Sequence, residues 1–517
     1  MSGFRREASD ILDELDALRS ADAPTHGGRV LSYVYDSGLA ALDELAAEAA
    51  RRVQPVNGLD PTTFVSVAAM ERSVVGFARR VLGGEGGAGD GSGNDDVVVG
   101  SVTSGGTESC LLAVKSARDA WRAARLGSPR VPRLVAPVTV HAAFHKAAHY
   151  FGLELDLVPV DPATGTLAPA AIEERLGDDV ALVVLSAPSY PFASLDPVAD
   201  VAAITAERGI ALHVDACIGG FALAFWPEPL PAWNLSVPGV TSLSADLHKY
   251  GYAPKGASVL LTRGRDRQRH QYFATTGWPG YPVVNPTMTG SKPAGPLAAA
   301  WAITEALGEP GFTELTAQAA RATAALRDTI DGIEGLRVVG RATGPLLAVA
   351  TDEDAPAGSR VDPHHWADAA RSAGWQLQLQ PGLVQADGTH LPHTTHLTVT
   401  PVTERVLPEL AAALVVAADE VRGIPQIDGG AALAGLALAL PGFDADGGAS
   451  GLAALAAGGL DSDTAAAILG AAGLLGGEGA LPDQLAPVLA LVEALPGPLT
   501  ERLLVELLAR VVEPPAD

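Results

Sequence analysis

Between Val97 and Thr262 short apolar runs alternate with stretches of helical periodicity: VVVGSV, RLVAPV, LELDLVPV, VALVVLSAP, IALHVDA and ASVLLT. Nothing else in the chain constrains its fold as much. Runs this short and this apolar read as strands buried on both faces, and the helical stretches between them are crossover connections. The expected fold class is α/β, a mostly parallel sheet covered by helices. With 517 residues, 48% of them hydrophobic, the chain can build such a domain and smaller ones beside it.

The flanks divide by composition. Residues 1–95 read as an N-terminal helical segment closing in the glycine-rich GGEGGAGDGSGND, Gly83 to Asp95, a surface loop with no Gly-Lys-Ser/Thr to make it a phosphate loop. Residues 96–295 form the large domain. Residues 296–422 hold a bridging helix, about Pro296 to Ile333, and a small α+β domain whose strands are LRVVGR, PLLAVAT, WQLQLQ and THLTVT. Residues 423–517 turn to Ala, Gly and Leu and read as a helical C-terminal extension.

A net charge of −25 and the lack of a basic stripe argue against nucleic acid and anionic membrane surfaces as partners. The N-terminus lacks the apolar core of a signal peptide, and no uninterrupted apolar run is a convincing membrane span. Two cysteines, Cys110 and Cys217, make no disulfide framework and fit a reducing, cytoplasmic setting, with Cys217 read as a buried, inert thiol. His390, His393 and His396 are three apart, which in an extended segment sends neighbours to opposite faces, so no metal site is expected there.

Three stretches carry chemistry. In VVVGSVTSGGTESCLLAVKSARDAW a strand ends at Thr103, Ser104-Gly105-Gly106-Thr107 turns, and a helix begins with Cys110, Val114, Ala117 and Trp121 on one face. Glycines there let a ligand approach the backbone, and helix-start amides favour an anion such as phosphate. In IALHVDACIGGF, Asp215 ends a strand, where open α/β sheets place ligands; His213, two residues earlier, reads as a packed histidine. In SADLHKYGYAPKG a strand and turn present His248 and Lys249, with Tyr250 and Lys255 following. A turn for phosphate, a strand-end carboxylate for a protonated ring nitrogen and a lysine to capture an aldehyde meet together the requirements of pyridoxal 5'-phosphate.

The motifs GGRV (Gly27–Val30), TSGGTES (Thr103–Ser109), HAAFHKAAHYFG (His141–Gly152), HVDACIGGF (His213–Phe221), SADLHKYGYAPKG (Ser244–Gly256) and NPTMTGSKPAG (Asn285–Gly295) follow one another over roughly residues 25–420. In this order they resemble the pyridoxal-phosphate-dependent group II decarboxylase superfamily, and within it the sphingosine-1-phosphate lyase branch. The resemblance implies fold type I, a seven-stranded sheet with a small C-terminal domain. It implies Lys249 as the Schiff-base lysine, Asp215 on the pyridinium nitrogen and His141 stacked on the ring. Ser104, Gly105, Gly106 and Thr107, with Ser244 and His248, would hold the phosphate. Tyr35, Tyr250 and Lys255 would face the substrate, and Thr287 to Pro293 would reach across a homodimer interface to complete the partner's site.

The entrance departs from the branch. Its Asn-Pro-Leu-His is Asn57-Gly58-Leu59-Asp60 here, its Gly-Ser-Arg-Pro is Gly290-Ser291-Lys292-Pro293, and a family tyrosine is replaced by Val283, with Tyr281 nearby. Asn57, Asp60 and Lys292 are therefore expected to tune the substrate. An aspartate is the wrong sign for a substrate phosphate, and lysine lacks the arginine fork. Two reactions stay open on an amine or amino-acid substrate: Cα–Cβ cleavage to an aldehyde and phosphoethanolamine, or loss of the carboxylate as in an amino-acid decarboxylase. A chain that keeps the fold as a non-catalytic binding or scaffold subunit is the third reading.

Overall fold

The computed structural model describes residues 5–85, 96–439, 460–474 and 482–514. Most of the glycine-rich stretch, Gly86 to Asp95, lies outside the described residues, as does part of the C-terminal extension. Seven strands form the main sheet: β1 (Val98–Thr103), β2 (Arg133–Pro137), β3 (Glu154–Val158), β4 (Val180–Ser186), β5 (Ala211–Asp215), β6 (Ser242–Ala245) and β7 (Ser258–Arg263). Their spatial order is β1-β7-β6-β5-β4-β2-β3. All neighbours are parallel except β7, which runs antiparallel to both β1 and β6. The six apolar runs and the Ser244 motif supply all seven strands. Every residue of the interior strand β4, VALVVLS, is buried, as a strand covered on both faces must be.

The two faces have different covers. On one, the helices Gly106–Ala123 and Ala142–Phe151 press Cys110, Val114, Trp121 and Phe144 onto Leu134, Leu182 and Val184. Cys110, Val114 and Trp121, with Ala117 beside them, are the apolar face read from the sequence. On the other, the helices Ala40–Arg52, Val65–Val81 and Gly295–Asp331 bury Val74, Phe77 and Phe312 against Phe221, Leu243 and Leu261. The helix Gly295–Asp331 bends where Gly308 takes φ 52° and Pro310 offers no amide hydrogen.

A second, antiparallel sheet of four strands has the order Leu336–Val338, Leu346–Thr351, Thr394–Thr398, Gln378–Gln380. The N-terminal segment joins it: Leu31 N–H donates to Gln376 O (2.8 Å) and Thr398 N–H to Leu31 O (2.7 Å). That attachment carries Tyr33 and Tyr35 to the large sheet. The C-terminal helices Ser462–Ala471, Ala486–Ala494 and Gly497–Val511 share a cluster around Ile468, Leu469, Leu499 and Leu503. Asp368 accepts the Leu485 and Ala486 amides (2.9 and 2.8 Å) and so caps the middle one.

Candidate functional site

β1, β2, β4, β5 and β6 point the same way, and the residues just past their carboxyl ends meet in one cavity of about 670 Å³. After β1 come Ser104 to Glu108 and Cys110, after β2 His141, from β4 Ser186 with Pro188 and Tyr190 beyond it, from β5 Asp215 and Cys217, and after β6 Asp246, His248 and Lys249. Tyr33 and Tyr35 from the N-terminal segment and Gln378 to Pro381 from the small sheet close it. This is the strand-end position at which open α/β sheets take ligands.

The turn after β1 is built for close approach. A Cβ on Gly106 would meet Asp246 Oδ2 at 2.7 Å and Cys217 Sγ at 3.0 Å, and one on Gly105 would meet His248 Cε1 at 3.2 Å. The helix Gly106–Ala123 starts here, so its first-turn amides are available to an anion. Glu108 reaches back and accepts from Ser104 N–H (2.6 Å) and Ser104 Oγ (2.8 Å), while its other oxygen accepts from Met288 N–H (2.6 Å). It thereby ties the turn to the 285–292 segment, by capping-box logic.

Lys249 lies on a buried ion pair. Its Nζ is 3.0 Å from Asp246 Oδ2, and His248 Nε2 is 3.4 Å from the same oxygen. Burial alone would depress the Lys249 ammonium; the Asp246 carboxylate, with Tyr35 and Cys217, outweighs it and holds the amine well above the ordinary lysine range. Asp246 is held low despite its burial, by the charge of Lys249 and the His248 hydrogen bond. Asp246 Oδ1 and His248 Nδ1 are buried without a partner.

Asp215 ends β5 with Oδ1 accepting from Cys217 N–H (3.0 Å). His141 caps its helix, Nδ1 accepting from Ala143 N–H (3.2 Å), so the proton of the neutral ring sits on Nε2. Burial lowers its basicity, which keeps the ring neutral. Cap and cavity lining are thus one residue's two roles. Tyr35 is pushed up to about 12 by burial and stays protonated. Lys255 Nζ lies 4.6 Å over the Tyr35 ring at the rim and donates to His248 O (3.2 Å); burial and the Lys249 charge push it down to about 8.

Four expectations are corrected. Ser244 does not line the cavity: fully buried, it bonds His213 Nε2 (3.1 Å) and stands 3.4 Å from Asp215 Oδ1, supporting the carboxylate from behind. Tyr250 does not face a substrate, because its hydroxyl donates to Val399 O (2.8 Å), with Pro345 O at 3.2 Å, joining the small sheet to the site. Lys292 is spent on the sheet edge: β1 is an edge strand, and Lys292 Nζ donates to Val102 O (2.6 Å) while Glu71 accepts Val102 N–H (2.7 Å). Asn57 and Asp60 hold their own loop, accepting from Leu59 N–H (3.0 Å) and Thr62 N–H (2.9 Å). Asp60 and Lys292 line a different cavity, of about 1080 Å³.

His213 is a packed histidine, bonded to Ser242 and Ser244 and pushed down to about 4 by burial. His393 pairs with Asp362 (2.8 Å), His396 bonds Thr398 and stacks on Tyr190 (4.1 Å), and His390 is exposed. The three share no centre. Of the cavity residues that sequence reasoning missed, Asp246 was in plain view, three residues before Lys249 in the motif itself. Tyr190, Gln378 and Gln380 had no local signal, since chain segments far apart bring them in.

The family profile described as pyridoxal-dependent decarboxylase conserved domain matches residues 57–332. A second, described as pyridoxal-dependent enzyme, C-terminal putative HTH domain, matches 431–510. A sphingosine-1-phosphate lyase of Dictyostelium discoideum is 33% identical over 68% of this chain and 64% of its own length. One of Oryza sativa subsp. japonica is 33% identical over 76% of this chain and 69% of its own. The chain thus spans about two thirds of these relatives. The solved sphingosine-1-phosphate lyase of Burkholderia pseudomallei K96243 superposes with TM-score 0.73 at 31% identity, over 82% of this chain and 93% of that one. Glutamate decarboxylase of Lactobacillus brevis, at 18% identity and TM-score 0.70 over 83% of this chain and 95% of that one, shares the fold. With its profile match, its fold type I sheet and the strand-end cavity, the chain belongs to the pyridoxal-dependent decarboxylase family, whose cofactor is pyridoxal phosphate.

Proposed function

We propose that this protein is a pyridoxal-phosphate-dependent carbon–carbon lyase that cleaves the Cα–Cβ bond of a phosphorylated long-chain amino alcohol to an aldehyde and phosphoethanolamine. The observation that carries the reading is the meeting of Lys249, Asp215, His141 and the Ser104–Thr107 turn on one cavity, in a chain 31% identical to a solved sphingosine-1-phosphate lyase.

The cavity fits the cofactor. A Cβ would fill the turn at Gly106, and the unpartnered His248 Nδ1 beside it is a polar atom in need of a ligand. Lys249 Nζ would hold the aldehyde, Asp215 the ring-nitrogen proton, and the first-turn amides with His248 the phosphate. When bound, pyridoxal phosphate supplies an electron sink for a bond broken at Cα. Asp246 would keep a proton on the free Lys249 Nζ, which could then serve as the acid that protonates carbon. Tyr35, protonated, offers a hydroxyl donor. Lys255, pushed down to about 8, is a group at the rim able to exchange a proton near neutrality.

We further infer a homodimer in the cytoplasm. Exposed Phe273, Trp278, Tyr281, Val284 and Met288 on one hairpin are the apolar face for a second copy, and among the described residues no helix is long and apolar enough to cross a membrane. One observation favours amino-acid decarboxylation instead: Lys292, one of the two lysines expected to meet a substrate phosphate, is tied to Val102 and Glu71.

Product analysis by mass spectrometry separates the readings. Cofactor-loaded protein is given a phosphorylated long-chain base and, in parallel, a pool of amino acids. Phosphoethanolamine with a long aldehyde is the expected result. Carbon dioxide and an amine from the pool, with no cleavage of the base, would replace the lyase by the decarboxylase. Lys249→Ala abolishes the cofactor absorbance band and turnover; turnover in that variant would remove Lys249 from the role.

A further inference from the structure

The chain's two cysteines come from distant segments and meet beneath this cavity. Cys110 belongs to the helix that follows β1 and Cys217 to the turn that follows β5. With Asp215 they form a group whose ligand atoms all lie within 4.8 Å of one another, and among the described residues it is the one such group. All three are buried, and all three line the cavity, so an ion can reach them from solvent. Around one zinc-class ion, thiolate sulfurs at about 2.3 Å and a carboxylate oxygen at about 2.1 Å stand roughly 3.5–3.8 Å apart. The observed spacing accommodates that with small side-chain rotations.

The surroundings support a cation. Cys217 Sγ lies 3.2 Å from Ser244 Oγ, which is itself bonded to His213 Nε2 (3.1 Å), so the ligand is oriented by a fixed second layer. Asp246 also crowds the point above Gly106 where Cys217 lies, but it is already paired with Lys249 Nζ at 3.0 Å, so the ligand set is the three residues named. Three protein ligands leave a fourth tetrahedral position open to the cavity for water.

We propose that in the cofactor-free protein Cys110, Asp215 and Cys217 bind a soft divalent cation of the zinc class. Both thiols give up their protons on binding, so two protons leave for each ion that enters. Asp215 then faces two claims, and cation and cofactor exclude one another. This last step rests on the role given to Asp215 above; the site itself does not.

The test uses the full-length protein stripped of cofactor and titrated with cadmium(II), whose thiolate complexes absorb in the near ultraviolet, and with zinc(II) by calorimetry. One ion per chain, a thiolate-to-cadmium band and release of two protons per ion are expected. Cys110→Ala and Cys217→Ala should each weaken binding at least tenfold, with circular dichroism and cofactor uptake at Lys249 reporting that each variant is folded. Absence of the band in wild-type protein that still takes up cofactor overturns the proposal, as does a zinc(II) affinity left unchanged in the variant that carries both Cys110→Ala and Cys217→Ala. A protein isolated with Cys110 and Cys217 joined as a disulfide, seen as no free thiol after denaturation without reductant, overturns it too. Equal cadmium affinity with and without cofactor would sink the exclusion. Failure to capture cofactor at Lys249 while cadmium binds would leave the site standing and remove the proposed function.

Discussion

Asp246 Oδ2 stands 3.0 Å from Lys249 Nζ inside a buried site. A lysine that must capture an aldehyde needs its free amine, yet this carboxylate stabilises the ammonium. Asp246→Asn removes the charge and keeps the shape. The pH midpoint for capturing pyridoxal phosphate should then fall, and capture at neutral pH should quicken, measured by stopped-flow absorbance across pH. Breaking a buried pair on one side should also cost about 3–5 kcal/mol. The sign follows from linkage: a raised lysine contributes stability that is present below its unfolded value of 10.5 and lost as pH climbs through the folded one. An unchanged midpoint would refute the coupling.

Gly106 is required by its neighbours. In Gly106→Ala the new methyl would sit 2.7 Å from Asp246 Oδ2 and 3.0 Å from Cys217 Sγ, both of them buried. Overpacking of this kind costs about 1–3 kcal/mol. The variant should melt lower and bind cofactor at least tenfold more weakly, by equilibrium dialysis; wild-type affinity would show the turn to be looser than its contacts imply.

Tyr250 joins the site to the small sheet through Val399 O and Pro345 O. Tyr250→Phe takes the hydroxyl donor from Val399 O, while Pro345 O keeps the Val399 N–H at 2.9 Å, and should lower stability by about 1–3 kcal/mol in urea titration. KM should move less than twofold. A large rise in KM without loss of stability would restore Tyr250 to the substrate.

Asp362 and His393 form a second titrating pair, 2.8 Å apart in the small domain. Burial opposes the charged His393 ring, and the hydrogen bond and charge of Asp362 outweigh it, so its affinity for protons is raised. Glu493 and Glu353 add to that field, and the His364 ring, 4.7 Å away, is lowered by burial and by His393. For Asp362, burial is overcome by His393 and by backbone amides, and its value falls. The His393 contribution is therefore full below 6.5 and lost as pH rises through the raised value; the Asp362 contribution is present above 3.8 and lost on acidification through the lowered one. His393→Gln should cost roughly 1.5–3 kcal/mol at pH 6 and flatten the decline of stability as pH rises above 6.5. Parallel stability curves for the two proteins would rule the pair out as its source.

What the sequence determined by itself was local. Strand apolarity, glycine turns and the residue at each strand end are encoded within a few positions, so β1 to β7, the Ser104–Thr107 turn, Asp215 and Lys249 could all be read in order along the chain. Tertiary structure decided which side chains were left over for chemistry. Ser244, Tyr250 and Lys292 have the right residue types, but each is spent on a distant backbone or side-chain partner: the back of Asp215, the Val399 carbonyl, the free edge of β1. Buried polar groups must be paired, and those pairings cross from one segment to another. The same long-range packing put Tyr190, Gln378 and Gln380 on the cavity and brought Cys110 to Cys217, contacts that no local pattern specifies.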